Sequence, residues 1–368
     1  MKLLVLKETT KNENRVALTT DLVAKYSKLG VEVFVESKAG EKSAISDAEF
    51  EAAQAKIVND ITQVLGEVDL VIAVQRVDID FSKLKVGALF IALLNPYLQK
   101  EKITEIAKNK ISAFALELLP RITRAQSMDV LSSQSNLAGY ASVLVASANM
   151  TKCIPMMMTA AGTVSAAKFM IIGAGVAGLQ AIATAKRLGA IVCAFDVRTA
   201  AKEQVQSLGA KFIEVVSDEK NDGVYAKEMS EEYKKKQEQL LKDVIKNQDV
   251  IITTALIPGK PAPILISQDM VNLMKPGAII VDLAAINGGN CAATKKGEIV
   301  TTENGVKIIG YENFPSLVAS DASKLFAKNI YNFVETLINK EQKTLSLNLD
   351  DEIIKSCLVS HDGVVRKD

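Results

Sequence analysis

The 368-residue sequence predicts an α/β protein of two doubly wound, parallel-sheet domains with a deep cleft between them, joined by long crossing helices. Three observations carry that prediction. Short apolar runs alternate with amphipathic stretches along both halves of the chain, the rhythm of strand–helix–strand units. The second half holds a glycine-rich turn between an apolar run and an amphipathic one. A chargeless stretch at 134–151 is long enough to form a helix running from one half to the other.

In the first half, residues 3–6 read as a short strand, 21–29 as a helix stopped by Gly30, and 31–36 as an alternating strand. Residues 48–55 follow as a helix, then 68–74 and 88–94 as strands, the latter broken by Asn95 and Pro96. A helix at 103–108 and a strand at 112–116 complete this half. In the second half, strands are predicted at 169–172, 191–195, 211–215, 250–253, 278–282 and 307–310. Residues 320–337 read as a long helix returning to the first domain, with a polar tail from Leu345 closing beside it. The expected division is an N-terminal α/β domain at 1–133, a second α/β domain at 134–317, and a returning helix and tail at 318–368.

Composition narrows the function. The chain is 48% hydrophobic and 24% charged, which suits a globular protein with real cores. With Lys+Arg 44 against Asp+Glu 43, it makes no electrostatic case for nucleic acid or an anionic membrane surface. Cys153, Cys193, Cys291 and Cys357 match no zinc or redox spacing and read as reduced, mostly buried thiols. The first residues lack the apolar core of a secretory signal. The longest uncharged stretch, 130–151, is rich in Ser, Asn and Gln and reads as a buried helix, not a membrane span. Any work at a membrane is therefore expected to go through partners.

The run 168–196, KFMIIGAGVAGLQAIATAKRLGAIVCAFD, is the most specific local signal. It reads as strand, glycine turn, helix, strand and terminal acid. Gly173 would make the tight turn, Gly175 would let backbone approach a pyrophosphate, and Gly178 would let the helix pack closely on the sheet. The phosphates would meet the helix N-terminus, at Val176 and Ala177, where free N–H groups and the helix dipole favour negative charge. Asp196, 18 residues after Gly178, would accept hydrogen bonds from the adenosine ribose and repel a 2′-phosphate, which favours NAD(H). Val197 and Arg198 follow it, and an arginine here can instead accommodate a 2′-phosphate. This half is thus a Rossmann-like dinucleotide site. The charged segment at 217–236 reads as a solvated loop and helix or as a mobile flap beside the cofactor. Met156 to Met158 are expected to pack under the cleft, and 288–291 to be a strand-end loop.

Longer strings carry a family resemblance: RITRAQSMDVLSSQSNLAGY at 121–140, PMMMTAAGT at 155–163, TTALIPGKPAP at 253–263, KPG at 275–277, DLAA at 282–285 and GGNC at 288–291. Through them the chain resembles the NAD(H)-binding component, alpha-subunit domain I, of proton-translocating nicotinamide nucleotide transhydrogenase, over nearly its whole length. The resemblance implies hydride transfer from NADH to NADP⁺ held on a partner domain, coupled in the full complex to proton translocation. It implies that Arg121 holds the nicotinamide end, that Asp129 and Ser132 orient the carboxamide, and that Gln126 reaches toward the second nucleotide. It places Tyr225 on a mobile loop that folds over the nucleotide, and Thr254, Ala255, Leu256 and Pro258 on the wall of the site. It further implies a homodimer, membrane-spanning and NADP(H)-binding partner subunits, peripheral attachment at the cytoplasmic face of the inner membrane, and no metal.

The wider group includes alanine dehydrogenase, with which the opening Lys7, Glu8, Asn14 and Arg15 pattern is shared. An amino-acid dehydrogenase needs a proton acceptor and a cation for its carboxylate substrate. Where alanine dehydrogenases carry a lysine, this chain has Gln75 and Arg76; where they carry the catalytic histidine, it has Asn95 and Pro96. His361 is its one histidine. A stand-alone dehydrogenase and a non-catalytic NAD(H) sensor are the alternatives.

Overall fold

The computed structural model describes residues 1–215, 231–256 and 259–366. The chain divides into two compact units, Met1–Gln134 with Pro315–Asp368, and Ser135–Phe314. The first division falls inside the helix Val130–Asn149.

The first unit is built on an eight-stranded sheet in the order Val364–Val365, Leu358–His361, Ser112–Ala115, Leu89–Ala92, Leu70–Ile72, Lys2–Val5, Glu32–Glu36 and Lys56–Val58. Its six strands from the N-terminal part are all parallel. Central strands such as Leu70–Ile72 and Leu89–Ala92 are buried at every residue, as expected for a parallel sheet covered on both faces. Successive side chains feed opposite cores: Leu3 and Val5 enter one, Leu4 and Leu6 the other. The helix Ala319–Thr336 covers the first of these faces with Phe326, Ile330, Phe333 and Val334. Those positions recur at helical spacing, and the Phe333 ring meets Phe114 edge-on at 5.4 Å.

The C-terminal tail does more than lie beside this helix. Leu358–His361 pairs antiparallel with the edge strand Ser112–Ala115 and turns back as Val364–Val365. Two further strands, Lys56–Val58 and the antiparallel Ile299–Thr301, are not among those predicted from the sequence.

The second unit carries a seven-stranded sheet in the order Lys211–Ile213, Ile191–Phe195, Lys168–Ile172, Val250–Thr253, Ile279–Asp282, Lys307–Ile309 and Ile299–Thr301. The chain winds outward from Lys168–Ile172 on one side, then returns to its other side at Val250–Thr253. This reversal is the switch point at which open α/β sheets bind ligands. Phe169 and Ile171 enter one core, Met170 and Ile172 the other.

Two expectations are corrected here. Met156 and Met158 do not pack under a site: they are 62% and 77% exposed, at an antiparallel hairpin of Met157–Thr159 and Gly162–Val164. Local apolarity suggested a core, but both strands of this two-stranded hairpin are exposed at nearly every residue. The helix at 130–149 is not wholly buried either. Ala141, Val143 and Ala146 are inside, whereas Tyr140 and Leu144 are exposed. Among the described residues no helix is long and apolar enough to cross a membrane.

Candidate functional site

The glycine turn starts where the strand Lys168–Ile172 ends. Gly173 has φ +95°, in the region that favours glycine, and its N–H donates to the Phe195 carbonyl at 2.8 Å. Gly175 caps the helix Val176–Arg187, and a Cβ built on it meets nothing within 4 Å. Open space therefore faces the helix N-terminus, where the first N–H groups have no partner inside the helix. Gly178 is buried, and a Cβ there would fall 1.8 Å from the Gly173 carbonyl oxygen. A backbone cradle opening at Gly175 and closed at Gly178 fits a pyrophosphate.

Asp196 stands at the tip of the neighbouring strand Ile191–Phe195. Its carboxylate accepts from the Ala174 N–H at 2.7 Å and the Arg198 N–H at 2.8 Å. The Arg198 side chain adds Nε at 2.9 Å and a terminal nitrogen at 2.8 Å. Burial pushes this carboxyl up, but those donors outweigh it and hold it below the ordinary range. The acid and the arginine that pulled in opposite directions in the sequence are thus one bidentate pair. Val197, between them, is half-buried.

Beyond the strand Val250–Thr253, Thr254 donates its hydroxyl to the Gly173 carbonyl at 3.0 Å, tying the second wall to the glycine turn. Ala255 is half-buried and Leu256 is 47% exposed. Tyr225 and Pro258 lie outside the described residues.

The four residues assigned to the nicotinamide end lie in the first unit. Asp129 immediately precedes the helix Val130–Asn149 and accepts from the Ser132 N–H at 2.9 Å and the Ser132 hydroxyl at 2.5 Å. This is an N-cap, so the pair has a structural task as well as any chemical one. Arg121 and Gln126 are exposed, Gln126 on the short 3-10 helix Thr123–Met128. The amide of Asn329 holds that helix by donating to the Ser127 carbonyl at 2.8 Å.

The alanine-dehydrogenase positions are otherwise engaged. Gln75 donates to Glu13 at 2.8 Å, and Arg76 pairs with Glu36 and Asp78. The Asn95 N–H donates to Glu117, and His361 lies at the C-terminal strand against the Ser112 hydroxyl.

Several residues around these sites escape a reading of the sequence. Gly139 is buried, with a Cβ position only 2.1 Å from the Ala177 carbonyl oxygen. Its signal is present, a lone glycine inside a helical pattern. Asp282 and Asn290, both fully buried, organise the loop after the strand Ile279–Asp282. Glu8 accepts at one oxygen from the N–H groups of Val74, Gln75 and Arg76, while its other oxygen is buried without a hydrogen bond. Burial, then the nearby Glu13 charge, push its carboxyl up to about 7.

A parallel sheet with a glycine turn and an acid at its switch point defines a nucleotide-binding α/β protein. The chain matches "Alanine dehydrogenase/PNT, N-terminal domain" over residues 4–138 and "Alanine dehydrogenase/PNT, C-terminal domain" over residues 142–368, and it belongs to that family. It is 49% identical to the first polypeptide of the NAD(P) transhydrogenase alpha subunit of Rhodospirillum rubrum, covering 99% of this chain and 97% of that one. The crystal structure of transhydrogenase from Sinorhizobium meliloti superposes with a TM-score of 0.91 at 46% identity, covering all of both chains. Alanine dehydrogenase of Mycolicibacterium smegmatis is more distant, 28% identical over 97% of this chain and 92% of that one.

Proposed function

We propose that this chain is the NAD(H)-binding subunit of a proton-translocating transhydrogenase, passing hydride from NADH to NADP⁺ held on a partner subunit. The observation that carries this reading is the glycine turn at the switch point, with open space at Gly175 and Asp196 beside it. Its transhydrogenase relatives support the reaction.

When bound, the nicotinamide supplies the hydride, and the chain's own residues have only to bind, orient and exclude water. Gly173, Gly175, Val176, Ala177 and Gly178 receive the pyrophosphate. Asp196, Val197 and Arg198 meet the adenosine ribose, and Thr254, Ala255 and Leu256 form the opposite wall. Arg121, Gln126, Asp129 and Ser132 hold the nicotinamide end and face the second nucleotide. No proton acceptor is needed in this scheme, which suits a chain with Asn95 and Pro96 where a dehydrogenase carries its histidine. NADP(H) and the proton path belong to the partners. The subunit acts as a homodimer attached peripherally to the cytoplasmic face of the membrane.

The test is reconstitution. The purified chain is mixed with the NADP(H)-binding domain of a transhydrogenase, and reduction of thionicotinamide NADP⁺ by NADH is followed. Transfer is expected in the mixture only. NADH binding without transfer would favour a sensor, and alanine-dependent NAD⁺ reduction by the chain alone would make it a dehydrogenase.

A further inference from the structure

We propose that Asn290 is a positioning residue for the nicotinamide half of bound NAD(H). The proposal rests on the NAD(H) reading above and goes beyond it in naming what holds the second wall of the site.

Asp282 is fully buried at the end of its strand. One oxygen accepts from the Thr253 hydroxyl and the Ala284 N–H, each at 3.0 Å. The other accepts from the Asn290 N–H at 2.7 Å, the Cys291 N–H at 3.1 Å and the Thr294 hydroxyl at 2.6 Å. Five donors on one carboxylate fix the loop that supplies them. Asn290 is thereby locked from its backbone.

Its side chain then grips the neighbouring strand end. The amide nitrogen donates to the Ala255 carbonyl at 2.9 Å and the Pro263 carbonyl at 2.8 Å. The amide oxygen accepts from the Ala255 N–H at 3.0 Å. Both backbone groups of Ala255 are therefore satisfied by one side chain, and two carbonyls beside the nitrogen fix the orientation of the amide. The Asn290 carbonyl accepts from Leu265 and Ile266 N–H at 2.8 and 3.0 Å, closing the far end of the same segment. One residue before Ala255, Thr254 holds the Gly173 carbonyl. The chain of contacts thus runs from a buried acid through Asn290 to the wall facing the glycine turn.

The sheet order assigns that wall to one half of the ligand. Asp196 tips the strand on one side of Lys168–Ile172, and Ala255 follows the strand on the other side. A dinucleotide lying across the switch point puts its adenosine over the first and its nicotinamide ribose over the second. Releasing Ala255 loosens the nicotinamide side and leaves the adenosine side intact.

The experiment measures affinities of the full chain and of Asn290→Ala for NADH and for 5′-AMP by calorimetry, with melting curves as the fold check. The expected result is a loss of about tenfold for NADH and less than about twofold for 5′-AMP, as fits removal of hydrogen bonds that order one wall. Asn290→Asp is the second variant: it keeps shape and the acceptor for Ala255, but sets an oxygen against two carbonyls, and the same selective loss is expected. Unchanged NADH affinity, a parallel loss of both ligands, or failure of both variants to fold would make Asn290 a scaffold residue and overturn the proposal. If the unaltered chain binds no NADH, the NAD(H) reading itself fails, and the proposal with it.

Discussion

The guanidinium of Arg198 spans both carboxylate oxygens of Asp196, at 2.9 and 2.8 Å. An acid at this strand tip repels a 2′-phosphate. Here its charge is compensated from two residues away, so selectivity belongs to the pair.

Arg198→Ala should therefore sharpen the preference for NADH. It leaves the Asp196 charge uncompensated before a 2′-phosphate, and NADPH affinity should fall by about tenfold or more, as expected for a like-charge contact. NADH affinity should change much less. Titration with both nucleotides checks this, and equal losses would show that the arginine merely supports the loop.

Gly139→Ala should be damaging although it adds one methyl group. That methyl would lie 2.1 Å from the Ala177 carbonyl oxygen, so the two segments must part. Overpacking of this kind costs about 1–3 kcal/mol. Ala177 is in the first turn of the fingerprint helix, so NADH affinity should fall together with the melting temperature. A variant with the parent's melting curve and affinity would refute the close contact.

Asp129→Ala should lower stability by about 1 kcal/mol through loss of the helix cap. Asp129→Asn retains an acceptor for the Ser132 N–H and should recover most of that stability. Hydride transfer measured beside the melting curves separates cap from charge. If both variants melt like the parent, the cap carries no weight.

Glu8 should give the chain a pH-dependent stability. Its folded carboxyl is raised to about 7 from an ordinary 4.5, so the folded state binds the proton more tightly than the unfolded one. The resulting stabilisation is complete below the unfolded value and is lost as pH rises through the folded value. About 3 kcal/mol is the upper size of that loss, at 1.36 kcal/mol per unit. Neighbouring Glu13 opposes ionisation, and the Val74, Gln75 and Arg76 N–H groups favour it. Glu8→Gln removes the titration, so its melting temperature relative to the parent should climb from pH 5 to pH 8. A constant difference across that range would assign the slope elsewhere.

What the sequence disclosed was mainly local. The strands Lys168–Ile172, Ile191–Phe195 and Val250–Thr253 are largely apolar runs buried at most positions on both faces, and such runs announce themselves. The fingerprint is equally legible because turn, helix start and strand tip lie within one βαβ unit. The grip of Asn290 on Ala255 spans 35 residues and leaves no periodic trace. The same holds for Leu358–His361, a strand of four residues whose partner lies in the first third of the chain. Met156 to Met158 misled because apolarity states a preference for burial, while burial requires a second layer, and this two-stranded hairpin is exposed on both faces.

That C-terminal strand bears on synthesis. Until residues 358–361 leave the ribosome, Ser112–Ala115 is an open sheet edge with unpaired backbone groups. The face later covered by Phe326, Ile330 and Phe333 is also bare. The Ser135–Phe314 unit is complete before either arrives. Although the first unit holds Met1, it is the last to close, and nascent chains from which only residues 1–318 have emerged should present a folded Ser135–Phe314 unit together with a first unit that still needs a chaperone.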